Sequence, residues 1–173
     1  LAILFFLMGL AGLFTSSSDQ ETPLELTGIE LRDQDLIDIL AAFREKIADP
    51  NLFLYPDFTA KRFNNARIAF AANMNCTLDP PLIQVDESIT GNGKKGCLVT
   101  KKYIYSDQFD NREPVPLSSI DDVHGTATVF EKKIFWKGVH LLTFTSIKKE
   151  SLFLLAELIN TIRRADMHKN NPI

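Results

Sequence analysis

A glycine-rich turn between two apolar segments constrains this chain more than any other feature of its sequence. The turn spans Thr90–Gly96, and it contains three glycines: Gly91, Gly93 and Gly96. Glycine permits the positive φ angles that a β-carbon disfavours, so such a turn can reverse the chain sharply. Apolar and β-branched residues flank it at Leu82–Val85 and Cys97–Tyr105. This pattern predicts a β-hairpin with a long loop, and Val115 and Leu117 indicate a third strand.

The same turn raises the question of an anion site, because some glycine-rich loops with lysines bind phosphate. Those loops are followed directly by a helix whose N-terminus faces the anion, whereas Cys97–Thr100 here is strand-like. The densest basic cluster of the chain consists of Lys94, Lys95, Lys101 and Lys102. Charged clusters usually solvate a surface. We therefore favour a solvated hairpin and keep an anion site as the alternative.

Two amphipathic helices are predicted before the strands. Apolar residues recur at helical spacing over Leu36–Ile47, and this helix should end near Asp49. A connecting segment, Asn51–Tyr55, then leads to Pro56, which suits the start of a helix. The second apolar stripe covers Phe63–Met74.

Three more strands are predicted after residue 120. They cover Thr126–Phe130, Ile134–Trp136 and His140–Thr145, with turns at Lys132-Lys133 and Lys137-Gly138. A closing helix is predicted from the helical spacing that follows them.

The predicted closing helix covers Ser151–Arg164. Its buried face should consist of four apolar residues: Leu152, Leu155, Ile159 and Ile162. Ala156 lies on the same side and permits a close approach to a neighbouring element. Leu158 falls off this stripe.

The first residues, Leu1–Phe14, form an unbroken apolar run. The run is shorter than the roughly 20 residues that a membrane-spanning helix needs. Three interpretations remain open: the end of a transmembrane helix, the core of a signal peptide, and a buried helix. We favour the transmembrane helix, because apolar residues cover every side of the run. A polar linker follows, and the lack of Lys and Arg before Arg32 favours a membrane-associated domain on the outer side.

No combination of residues predicts catalysis or a bound cofactor. The three histidines, His124, His140 and His168, fall in different segments and lack the convergent partners of a metal or catalytic site. Cys76 and Cys97 belong to no CxxC pair, and they either form a disulfide in an exported protein or remain thiols. The net charge of −3 indicates no basic face for nucleic acid. We predict a protein that is not an enzyme and has no metal or cofactor.

The order of predicted elements, an antiparallel strand series closed by one helix, resembles a bacterial pleckstrin-homology-like (PH-like) domain. The most specific part is the segment GCLVTKKYIY at Gly96–Tyr105, followed by VPLSSI at Val115–Ile120. The resemblance covers Pro81–Arg164, and the chain also looks like uncharacterised bacterial proteins with a helical pair before this module. It implies a fold and no catalytic residues. Phosphoinositide-binding PH-like domains carry basic residues around the first hairpin, where this chain has only Lys94 and Lys95.

These observations predict an α+β fold. Two N-terminal helices should precede an antiparallel PH-like strand series, a partly open barrel closed by a C-terminal amphipathic helix. The expected boundaries are an apolar segment 1–14, a linker 15–26, a helical pair 27–78, a PH-like domain 79–166 and a tail 167–173.

The predicted function is a non-enzymatic, membrane-tethered interaction module. It would bind a protein partner, or its own copies, through an open sheet edge. The alternative is a module that binds an anionic ligand or a lipid headgroup through its lysine-rich hairpin.

Overall fold

The fold is known from a computed structural model that describes residues 31–170, with side chains described as far as Met167. The described residues form three α-helices and two antiparallel sheets, so the predicted α+β class is confirmed. The helices are α1 (Gln34–Arg44), α2 (Ala60–Phe70) and α3 (Lys149–Asn170). The strands are β1 (Leu52–Leu54), β2 (Pro81–Asp86), β3 (Gly96–Thr100), β4 (Tyr103–Ser106), β5 (Val115–Pro116), β6 (Val123–Ala127), β7 (Lys132–Trp136) and β8 (Val139–Phe144).

The strands divide into a five-stranded sheet, β1 to β5, and a three-stranded sheet, β6 to β8. Within each sheet the spatial order equals the chain order, and every pair is antiparallel. The two sheets do not join into a closed barrel. Tight turns join β3 to β4, β6 to β7 and β7 to β8, as antiparallel neighbours allow, whereas the connection from β1 to β2 contains α2.

The five-stranded sheet has apolar residues on both faces. One cross-strand row on the first face consists of Leu54, Ile83, Val99, Ile104 and Val115. This face belongs to the main core, which also contains residues of α1, α3 and the three-stranded sheet. Alternate residues point to opposite faces of a strand. The next row, on the second face, consists of Phe53, Gln84, Leu98 and Tyr105.

The second face of the five-stranded sheet is covered by α2. Phe63, Ala66 and Phe70 of this helix are buried in a separate cluster that also contains Leu98 and Tyr105. Helical spacing places these three side chains on one side of α2, as the sequence predicts. As a result every residue of β2 and β3 is buried.

The closing helix α3 packs against the three-stranded sheet and α1. All four residues of the predicted buried face are at most 1% exposed, and Ala156 is 4% exposed. Leu158, which the single-stripe prediction left off this face, is also fully buried. A helix that contacts both a sheet and another helix buries more than one stripe, which explains the difference.

Several predicted boundaries are wrong. The segment Asn51–Tyr55, expected to be a connection, contains β1, so a strand separates the two predicted helices. The expected strand Cys97–Tyr105 is two strands, since the chain turns at Lys101 and Lys102. There the hydroxyl of Thr100 accepts hydrogen bonds from the backbone N–H groups of Lys102 and Tyr103, which stabilise the turn.

Three further segments also differ from expectation. Leu117 begins a short 3₁₀ turn, Leu117–Ser119, instead of continuing a strand. Lys132 and Lys133 lie in β7, and the preceding turn occupies residues 128–131. The tail predicted to begin at Met167 continues α3 as far as Asn170.

The prediction of a transmembrane helix is wrong for the part of the chain that the structure describes. Between residues 31 and 170, no helix combines the length and the apolar character that crossing a bilayer requires. The apolar run Leu1–Phe14 and the linker 15–26 lie outside the described residues.

Candidate interaction surface at the hairpin end

Two hairpin turns and the start of α3 lie at one end of the molecule, which we call the hairpin end. It comprises the β2–β3 turn (87–95), the β6–β7 turn (128–131) and the β8–α3 junction (145–149). The carboxylate of Glu87 joins two of these segments, because it accepts hydrogen bonds from the backbone N–H of Thr145 at 2.7 Å and from Ser146. Lys132 Nζ, next to the third segment, donates to the carbonyl of Thr145 at 3.1 Å. The three segments are therefore neighbours.

The β2–β3 turn is folded around the carboxylate of Asp86. This residue is 1% exposed and accepts hydrogen bonds from the backbone N–H groups of Ser88 at 2.9 Å and Gly93 at 3.0 Å. The guanidinium of Arg62 on α2 lies 3.8 Å from the same carboxylate. Because Asp86 already binds these turn amides, they are not directed at an external phosphate. Any anion at this turn would meet mainly lysine side chains.

The three glycines of this turn have positive φ angles of 62° at Gly91, 77° at Gly93 and 122° at Gly96. A β-carbon at Gly93 would overlap the backbone carbonyl of Arg62, and one at Gly96 would overlap that of Val85. The turn thus needs glycine both for its φ angles and for its close approach to α2 and β2.

The four lysines of the predicted anion site lie in two places. Lys94 and Lys95 are exposed in the β2–β3 turn, whereas Lys101 and Lys102 lie in the β3–β4 turn. The five residues of β3 lie between Lys95 and Lys101, which are thus six positions apart, about 20 Å along an extended strand. The four lysines therefore do not form one patch.

At the far end of β3, Lys101 is bound to carboxylates. Its Nζ lies 3.0 Å from Asp166 Oδ1 and 3.4 Å from Asp33 Oδ2. Partial burial lowers the pKa of Lys101, but the two carboxylates outweigh it and raise the pKa above its usual value. Lys101 and Lys102 also line a cavity of about 380 Å³ that contains Asp33 and Asp79. These acids make this end a poor site for an anion.

Asp79 connects this cavity to the β3–β4 turn. Its carboxylate accepts a hydrogen bond from Thr100 Oγ1 at 2.5 Å, and the residue is 7% exposed. Burial raises the pKa of Asp79, and the hydrogen bond from Thr100 opposes this shift. The arrangement fits a structural carboxylate that stabilises a turn.

The hairpin end also exposes large apolar side chains. The exposed fractions are 104% for Ile89, 89% for Val129 and 84% for Phe130. Val129 and Phe130 are the central residues of the β6–β7 turn, in which the N–H of Thr128 donates to the carbonyl of Glu131 at 2.8 Å. Sequence reasoning missed this feature because it assigned both residues to a strand. The segment Thr128–Glu131 contains no glycine or proline, the residues that most often mark a turn in a sequence.

The outer edges of the three-stranded sheet are partly covered by amide side chains. Asn160 of α3 accepts a hydrogen bond from the N–H of Val123 and donates one to its carbonyl, both at 2.8 Å. On the opposite edge, Gln108 bonds both backbone groups of Thr143, at 2.8 and 2.7 Å. The outer strands of the five-stranded sheet are short: β1 has three residues, and β5 has two, one of which is proline. These features hinder strand addition at an edge.

The remaining candidate residues do not converge. His124 and His140 flank the ring of Phe135 on the outer face of the three-stranded sheet, with ring centroids 5.8 Å apart in each pair. Within residues 31–170, no three His, Cys, Asp or Glu side chains are placed to hold a metal ion. Side-chain contacts of His168 lie outside the described residues.

Cys76 and Cys97 are free thiols, which settles the pairing that the sequence left open. Burial raises the pKa of both thiols. A protonated thiol is a weak nucleophile.

Comparisons with known proteins give no relative for this chain: no protein-family model, no curated protein and no solved structure matches it. They therefore do not identify the PH-like domain that the sequence resembles.

Proposed function

We propose that this chain is a non-enzymatic, PH-like binding module whose hairpin end binds phosphate-bearing anions. The observation that carries the proposal is that the side chains of Lys94 and Lys95 are exposed and unpaired among the described residues. Neither forms an ion pair with any other described residue. At the opposite end, by contrast, four cations bind aspartates: Lys101, Lys137, Arg163 and Arg164. The hairpin end therefore offers positive charge that the protein itself does not neutralise.

The order of elements supports the PH-like part of the proposal. Strands β2 to β5 form one antiparallel series, β6 to β8 form a second, and α3 follows and packs against the second. An antiparallel strand series followed by one packed helix is consistent with the resemblance and supports this part of the proposal.

The chemistry of the site supports an electrostatic mode of binding. The backbone amides of the β2–β3 turn bind Asp86, so Lys94 and Lys95 act as charges on flexible stems without a rigid phosphate cradle. Such a site selects for several negative charges close together more than for the shape of one headgroup. Its affinity should decrease strongly with salt.

Association with a protein, or with a second copy, through a sheet edge has less support. The side chains of Asn160 and Gln108 occupy backbone groups on both edges of the three-stranded sheet. We therefore place binding at the hairpin end and treat edge association as an outcome of the test.

The test is a titration of the full chain with inositol hexakisphosphate, followed by amide chemical shifts. We expect shifts in the β2–β3 turn that weaken as salt increases. Lys94→Glu/Lys95→Glu should lower the affinity at least tenfold, because each lysine near an anionic surface contributes about 1 kcal/mol.

The matched control is Lys102→Glu/Lys137→Glu, which changes the charge equally in the turns at the opposite end. This variant should bind nearly as well as the wild type. Equal losses in both variants would show that only net charge matters and would overturn the proposed site. Concentration-dependent shifts in β6 or β8 without any phosphate would support edge association instead.

A further inference from the structure

We propose that the hairpin end docks on an anionic lipid bilayer and that Val129 and Phe130 enter the interfacial region of the lipids. This inference rests on the proposed function and names the source of the phosphate groups. It concerns a contact made by a folded surface, so it requires no helix that crosses the membrane.

The first argument comes from the β6–β7 turn itself. Turns usually contain Gly, Pro, Asn, Asp or Ser, for which the backbone or a local hydrogen bond gives a reason. The centre of this turn holds Val129 and Phe130, and neither has a positive φ angle. Their side chains are 89% and 84% exposed, so they contribute little to the core. Two adjacent apolar residues that are this exposed indicate an interaction site.

The second argument is that charge and apolar surface occur together. Lys132 directly follows this turn, and its Nζ bonds the carbonyl of Thr145, whose N–H bonds Glu87. Glu87 begins the β2–β3 turn that carries Ile89, Lys94 and Lys95. An aromatic and two aliphatic side chains next to lysines match the interface of an anionic bilayer, where acyl chains lie below phosphates.

The third argument is the shape of the surface, which favours lipid over a protein partner. The three apolar side chains, Ile89, Val129 and Phe130, project from two separate turns. A stable protein interface needs about 800 Å² per partner with a well-packed centre. A fluid bilayer accommodates separate projecting tips without a matching pocket.

The experiment places a tryptophan at the tip of the β6–β7 turn in the full chain. Trp136 is the chain's single tryptophan, so Trp136→Phe/Phe130→Trp leaves one reporter at position 130. A tryptophan reports its own surroundings, whichever other part of the chain touches the vesicle. The matched control is Trp136→Phe/Ile68→Trp, since Ile68 is 78% exposed on α2.

With vesicles of phosphatidylserine and phosphatidylcholine, we expect a blue shift and quenching by brominated lipid at position 130 but not at position 68. Adding Lys94→Glu/Lys95→Glu should abolish both signals. In the otherwise unchanged chain, Val129→Ser/Phe130→Ser should weaken binding to these vesicles about tenfold, because two apolar side chains lose their burial.

The failures of the two proposals are distinguishable. If Lys94→Glu/Lys95→Glu abolishes binding to inositol hexakisphosphate but position 130 remains in water on the vesicles, the docking inference is overturned and the proposed function stands. If position 130 is quenched equally on pure phosphatidylcholine, the anionic requirement fails and the docking inference is overturned. The proposed function is overturned only if Lys94→Glu/Lys95→Glu leaves the binding of inositol hexakisphosphate unchanged. Shielding of position 130 without vesicles, increasing with protein concentration, would identify a contact between copies and overturn lipid docking.

Discussion

The two sheets of this protein are built from similar hairpins but are covered differently. The five-stranded sheet lies between the main core and α2, so both of its faces are buried. The three-stranded sheet packs against α3 on one face and leaves the other face, with His124, Phe135 and His140, largely in solvent. The sequences show this contrast: β3 reads GCLVT and is wholly buried, whereas β7 reads KKIFW and is fully buried only at Ile134.

This difference indicates a division of roles. A doubly covered sheet can hold a turn such as 87–95 rigidly, here through Asp86 and the contact with Arg62. A singly covered sheet can present side chains outward at little cost to the core. The hairpin end combines both, since a rigid basic turn from one sheet lies beside an exposed apolar turn from the other.

The largest effect should come from comparing a phenylalanine that covers the five-stranded sheet with one on the open face of the three-stranded sheet. Phe63 of α2 is 2% exposed and stacks on Phe58, with ring centroids 6.1 Å apart. Phe63→Ala should lower the free energy of unfolding by about 3–5 kcal/mol. Phe135→Ala on the outer face of the three-stranded sheet should lower it by only about 1 kcal/mol. Urea denaturation of both variants measures this, and equal losses would refute the difference in cover.

A second pair of substitutions compares the two types of turn. Gly93 and Gly138 have almost the same φ angle, 77° and 78°, but only Gly93 has backbone within 4 Å of the position of a β-carbon. Gly138→Ala should destabilise by about 1–2 kcal/mol through its φ angle alone. Gly93→Ala should lower the free energy of unfolding by about 1 kcal/mol more than Gly138→Ala, because the added methyl group meets the backbone of Arg62. Thermal melting checks this, and identical losses would mean that the β2–β3 turn is not docked on α2.

The smallest effect concerns pH. Burial raises the pKa of the Asp79 carboxyl group in the folded protein. At pH values between the pKa of the unfolded state and that of the folded state, the folded state therefore binds more protons than the unfolded state. Its contribution to stability is full below the unfolded pKa and is lost as the pH rises through the folded pKa. Relative to Asp79→Asn, the wild type should thus gain stability as the solution is acidified. Denaturation of both proteins across this range measures the difference, and a wild type that instead loses relative stability would contradict the assigned burial.

Much of the fold could be predicted from local patterns. The apolar stripes of the three helices and the glycine-rich turn depend on spacing along the chain, and the structure has a corresponding element for each. One boundary failed where hydrogen bonds to a side chain decide it. The Thr100 hydroxyl breaks one expected strand into two, and nothing in the spacing of GCLVTKKYIY reveals that.

The candidate site was less predictable, because it depends on contacts between distant segments. The lysines near the β2–β3 turn are visible in the sequence, but the pairing of Lys101 with Asp33 and Asp166 is not. The proximity of the β2–β3 and β6–β7 turns follows from Thr145, whose N–H binds Glu87, 58 positions away, and whose carbonyl binds Lys132. The separation of Lys95 from Lys101, by contrast, already follows from the strand predicted between them.

Native-state hydrogen exchange tests the central claim, the unequal cover of the two sheets, most directly. Amides within a doubly buried sheet should exchange only through global unfolding, whereas those of a singly covered sheet should also exchange through local opening. We expect the amides of Leu98, Val99 and Ile104 to show the full free energy of unfolding. Those of Phe135 and Leu142 should show a distinctly lower value. Equal protection of the two groups, or greater protection in the three-stranded sheet, would contradict this account.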